Sequence, residues 1–163
     1  MSITSTNGMN ITLVAGALTT ADAAETVYDT TVTINSLIDG AFETTTAVTD
    51  GVTPTTDGNT GDAFNPILPD QISVFVWAHN AASTVTLYQG TVTDVDGDAD
   101  TALQYPTFPS LPSDVAPFGY TVMQTTGASA AAGLRPGTDN WNATGLTVTT
   151  VQCGALPARP VIT

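Results

Sequence analysis

Residues 27–38, VYDTTVTINSLI, alternate with a period of two: Tyr28, Val32, Ile34 and Ile38 fall on one side, Asp29, Thr31, Thr33 and Asn35 on the other. Successive side chains of a strand point to opposite faces, so the stretch reads as a strand with one buried face. The residue that fills its polar side recurs throughout the chain. Threonine makes up roughly a fifth of the 163 residues, and lysine does not occur. A β-branched side chain loses χ1 freedom in a helix and packs well on a pleated surface. The chain is therefore expected to be all-β.

Further strands are expected over 9–18, 41–49, 72–78, 84–93, 118–125 and 146–153, with one short turn near Asp22 and Glu25, which have capping-box spacing. Asp39-Gly40 supplies the positive-φ pair of a hairpin between 27–38 and 41–49. ISVFVWA at 72–78 is apolar on both faces apart from Ser73, the pattern of a central strand covered on both sides. The alternation of 84–93 slips at Gly90, which predicts a β-bulge there. Seven to eight short strands with turn signals between them predict a single β-sandwich or β-barrel-like domain over 1–163, with long loops. Residues 1–10 and 154–163 are expected as extended terminal arms.

Two long connections stand out. Residues 50–71 hold Gly51, Pro54, Gly58, Gly61, Pro66 and Pro69. A loop of that length is usually functional or packed on a neighbour, and Phe64, Ile67 and Leu68 are expected to tuck it onto something apolar. In QYPTFPSLPSDVAPF, Pro106, Pro109 and Pro112 recur every third residue. A polyproline II helix turns once in three residues, so Tyr105, Phe108 and Leu111 form an apolar ridge beside the prolines. That ridge is expected to lie in a groove, on its own domain or on a neighbour.

Charge excludes whole classes of partner. Fifteen acidic residues face two basic ones, Arg135 and Arg159, for a net charge of −13. Nucleic-acid binding needs clustered cations that displace condensed counterions, and an anionic membrane surface needs the same. Neither partner is expected. The first twenty residues lack the positive n-region and apolar run of a signal peptide, and no run reaches the roughly 18 apolar residues of a membrane span.

Little in the sequence points to chemistry. Cys153 is the one cysteine and His79 the one histidine. Cys153 reads as a small buried hydrophobe and His79 as a turn residue at a strand end. Asp94, Asp96, Asp98 and Asp100 alternate as hard-cation ligands often do. The EF-hand pattern asks for Gly at its sixth loop position and Glu at its twelfth. Counted from Asp94 those positions hold Ala99 and Tyr105, so the stretch reads first as an Asp-rich turn and second as a weak Ca²⁺ site. Trp141, in DNWNATG, either packs its turn onto the sheet or stands exposed as a platform for glycans. No acid, base or nucleophile is distinguishable from scaffold, and no enzyme is expected.

Several stretches taken together (ETVYDTTVTINSLIDG, PTTDGNTGDAF, VFVWAHNAASTVTLYQG, FPSLPSDVAPFGYTVMQTTG, NWNATGL and LPARP) resemble a family of uncharacterised tailed-bacteriophage virion proteins. The resemblance covers about Glu25 to Pro160 and implies a virion location. Small acidic Thr-rich β-proteins of that setting look like capsid decoration (cement) proteins or head fibres. The implied partners are the major capsid protein and further copies of the chain in a homotrimer, on the outer surface of the head. Docking would fall to the terminal arms, with Arg159, Pro160, Val161 and Ile162 in one of them. Two alternatives are a host-recognition module that binds glycans through Trp141 and the 50–71 loop, and a secreted calcium-stabilised β-module.

Overall fold

The computed structural model describes residues 10–14, 18–20, 26–95 and 105–161. They form ten strands: β1 (Ile11–Val14), β2 (Leu18–Thr19), β3 (Val27–Thr30), β4 (Ile34–Ile38), β5 (Ala41–Thr45), β6 (Val48–Val52), β7 (Gln71–Asn80), β8 (Val85–Asp94), β9 (Val115–Thr125) and β10 (Leu146–Gln152). The fold is all-β. A four-stranded antiparallel sheet, β10-β9-β7-β8, is overlaid by two three-stranded sheets, β1-β4-β5 and β2-β3-β6, in a sandwich-like packing. The turn expected at Asp22 and Glu25, and the 1–10 arm apart from Asn10, lie outside the described residues.

The two small sheets are halves of one bent ribbon. β4 pairs with β5 at the hairpin tip, while β3 pairs with β6 at its base. Asp39 and Gly40 at the tip have φ of 51° and 81°, as the expected two-residue turn requires. The single strand expected over 27–38 is corrected here: it breaks at 31–33, and its pieces join different sheets. The strand expected over 41–49 breaks likewise, between β5 and β6. A register shift between Tyr28 and Thr30 marks the start of the bend, since a bulge bends its strand and adds twist. The apolar phase survives the break, because Tyr28, Ile34 and Ile38 are all buried. Val32, at the corner, is exposed.

β7 is buried along both faces, as its composition predicts. On the ribbon side, Phe75, Trp77, Phe118 and Met123 pack against Leu18, Tyr28 and Ile34, and against Phe64, Ile67, Leu134 and Trp141 from the loops. Tyr28 meets Trp77 with ring centroids 4.9 Å apart. The long connection ends here: Ile67 exchanges backbone hydrogen bonds of 3.0 Å with Leu134 in both directions. On the opposite side, Ile72, Val74, Val76, Tyr120 and Val122 are covered by Phe108, Leu111 and Leu156. Phe108 stands edge-on to Tyr120 at 5.1 Å, so the proline segment lies in a groove of its own domain. The bulge expected at Gly90 is present, between the pairs Ser73–Val92 and Phe75–Gln89. A Cβ at position 90 would stand 2.7 Å from Val74 Cγ1 and closer still to the Thr107 carbonyl. Only a glycine lets the crossing segment lie this close.

Candidate functional site

The most unusual surface is the outer face of β1-β4-β5. Ile34, Ser36 and Ile38 of β4 point inward and are buried, so Asn35 and Leu37 point outward. Ile11, Leu37 and Phe42 are register partners across the three strands and form one apolar row. Phe42 is 62 % exposed, and Leu13 beside the row is 53 % exposed. Among the residues whose side chains are described, Asn35 and Thr44 also lie on this face, the Thr44 hydroxyl donating to Asn35 Oδ1 at 3.2 Å. Among the described residues, no charged side chain stands on this face, although the chain carries −13. Single exposed apolar residues need no account; here several lie side by side on an uncharged face of a strongly acidic chain.

The residues singled out by sequence are scattered. Residues 154–161 do not stand free as an arm. Gly154 O accepts from Thr12 N at 3.0 Å, Leu156 joins the second core, and the Val161 N–H donates to the Tyr120 hydroxyl at 3.1 Å. Pro160 is buried and Val161 exposed, while Ile162 lies outside the described residues. The guanidinium of Arg159 sits 5.2 Å from the centroid of the exposed Tyr105 ring. Arg135 is half-buried, its Nε donating to the Phe64 carbonyl at 2.9 Å. Asp94 accepts from Gln71 Nε2 at 2.9 Å; Asp96, Asp98 and Asp100 lie outside the described residues. Trp141 is 4 % exposed and its indole N–H donates to the Val27 carbonyl at 2.7 Å. The notion of an exposed Trp141 platform is therefore corrected: the ring is buried in the first core, 6.5 Å from the Trp77 ring. Cys153 is half-buried at the rim of the second core, and burial pushes its thiol up to about 11. Such a thiol is a poor nucleophile at neutral pH.

The chain matches no known family model, curated protein or solved structure.

His79 is the residue that sequence reasoning misread. It lies within β7, not in a turn, and is completely buried. Its Nε2 is 2.7 Å from Ser36 Oγ and its Nδ1 is 3.0 Å from Thr45 Oγ1. Ser36 Oγ is 3.1 Å from Thr12 Oγ1, which donates to the Pro117 carbonyl at 2.6 Å. Thr12, Ser36 and Thr45 belong to β1, β4 and β5, so one imidazole of the central sheet is tied to every strand of the sheet that carries the apolar row. The available signal was phase: Ser36 shares the inward phase of Ile34 and Ile38. A seryl hydroxyl beside an imidazole resembles a nucleophile and its base, but Ser36 is fully enclosed, so a substrate has no approach to it.

Proposed function

We propose that this protein is a capsid decoration (cement) protein that docks on the outside of a virion head through the outer face of β1-β4-β5. The observation that carries the reading is the uncharged row Ile11–Leu37–Phe42, with Leu13, on a chain of net charge −13. Burying it costs no charge desolvation, and the acidic remainder keeps particles apart and is not drawn to packaged nucleic acid. The resemblance of the chain to tailed-phage virion proteins supplies the setting.

The size of the face favours an oligomer. Three strands about 4.8 Å apart and some four residues deep present roughly 200 Å², against about 800 Å² per partner in a stable interface. One copy alone would hold weakly, and three joined copies gain the effective concentration of a linked system. A homotrimer of this chain is therefore part of the proposal. Phe42→Asp tests it. The site is exposed, so the melting temperature should stay within about 2 °C of the parent, while the chain should no longer sediment with shell particles. Parent occupancy should rise from 0.1 M to 1 M salt, as the Debye length shortens from about 10 Å to about 3 Å. Full occupancy by the Phe42→Asp variant would remove this face from the reading.

A further inference from the structure

The hydrogen-bond chain around His79 has only one consistent direction. The Pro117 carbonyl can only accept, so the Thr12 hydroxyl hydrogen is spent on it. Thr12 Oγ1 must then accept from Ser36. With its own hydrogen used, Ser36 Oγ can only accept from His79, which fixes the proton on Nε2. In a neutral ring Nδ1 is then bare and accepts from Thr45 Oγ1. Every polar atom of this run is paired when the imidazole carries one proton. A second proton on Nδ1 makes it a donor, so the Thr45 hydroxyl must turn its hydrogen away from the ring to accept, and the imidazole then holds a charge in a buried site.

We infer that His79 is an acid-sensitive latch: its protonation loosens β1-β4-β5, the sheet with the apolar outer row, from the central sheet. The latch goes beyond the docking role and stands whether or not that face meets a shell. The groups around the ring fit the assignment. β9 contributes Pro117 and Phe118, the Phe118 ring centroid lying 6.1 Å from the imidazole. β1 and β4 contribute only hydroxyls here. From β5 comes one carboxylate, Glu43, which lines an acidic cleft with Asp39, Asn80 and Asp114. Burial lowers the His79 pKa, and the Asn80 backbone and Glu43 oppose that only in part.

The sign follows from linkage. A histidine that is neutral in the fold and protonated in the unfolded chain stabilises the fold fully above its ordinary pKa of about 6.5. That stability is lost as pH falls from there toward the lowered folded value. In that window the folding constant drops by up to about tenfold per pH unit. Below about pH 5, carboxylate protonation relieves the repulsion of a −13 chain and acts in the opposite direction.

The test uses the whole chain in two ways. Urea unfolding followed by circular dichroism between pH 7.5 and 5.5 should show the acid loss in the parent and a nearly flat profile in His79→Gln. An amide can donate from one atom and accept at the other, as the neutral ring does. Hydrogen exchange on the unaltered chain gives a second readout that does not depend on the variant folding. After correction for intrinsic rates, amides of β1, β4 and β5 should lose protection at pH 5.5 ahead of those of β7 and β9. Simultaneous loss in all five strands, or an unchanged acid slope in His79→Gln, overturns the latch.

Discussion

Replacing Trp141 tests whether the loop after β9 is part of the core or a binding surface. Trp141→Phe keeps an aromatic ring in the place that contacts Trp77 at 6.5 Å but removes the indole donor to the Val27 carbonyl. A carbonyl left unpaired costs about 1–3 kcal/mol when buried. Val27 is only half-buried, which places the loss in the lower half of that range. Trp141→Ala adds a cavity, and such truncations cost about 3–5 kcal/mol. In a domain of this size each kcal/mol moves the melting temperature by about 2–4 °C. Thermal melts by far-ultraviolet circular dichroism at pH 7.5 should therefore fall by about 2–8 °C for Trp141→Phe and by about 6–20 °C for Trp141→Ala. Intrinsic fluorescence of the parent should resist acrylamide, since both of its tryptophans are buried. A Trp141→Ala chain that melts within about 2 °C of the parent would refute the packing described for this loop.

Two further outcomes rest on equally local features. Gly90→Ala should destabilise by about 1–3 kcal/mol, as overpacking does, because its methyl group meets Val74 and the Thr107 carbonyl; Gly40→Ala, with φ of +81° and open space, should lose only about 1 kcal/mol of backbone strain. Equal losses in urea unfolding would show that the 105–110 segment yields freely at Gly90. The Cys153 thiol should react with a disulfide reagent at pH 8 on the order of tenfold more slowly than a free thiol: a rise of 9.0 to about 11 cuts the thiolate fraction about 100-fold, and the greater nucleophilicity of the more basic thiolate offsets part of that. Urea should restore the ordinary rate, and fast labelling of the folded chain would contradict the burial.

Much of the fold could be read along the chain because each signal was local. Alternation revealed the faces of the ribbon, Asp39-Gly40 its tip, and the slip at Gly90 a bulge that is there. Apolar residues on both phases of 72–78 foretold a strand covered twice, and of the three residues expected to tuck the long loop in, Phe64 and Ile67 are in the core while Leu68 is exposed. The site was harder. The row Ile11–Leu37–Phe42 joins three strands, and in each strand the outward apolar residue reads as ordinary alternation until the register is known. His79 was misplaced for a similar reason. Its partners lie 34 and 43 residues away in the chain, and nothing near position 79 signals a buried hydroxyl.

By itself, the sequence determined the class of backbone and the sign of the exterior. Threonine's stiff, branched side chain favours the pleat, and 15 carboxylates against two guanidinium groups give the chain its net charge of −13. Tertiary structure decided where the ribbon bends, that residues 154–161 lie back on their own sheet, and which side chains meet around His79. Those outcomes depend on contacts between distant segments, and period-two patterning fixes which side a residue faces without fixing what it faces.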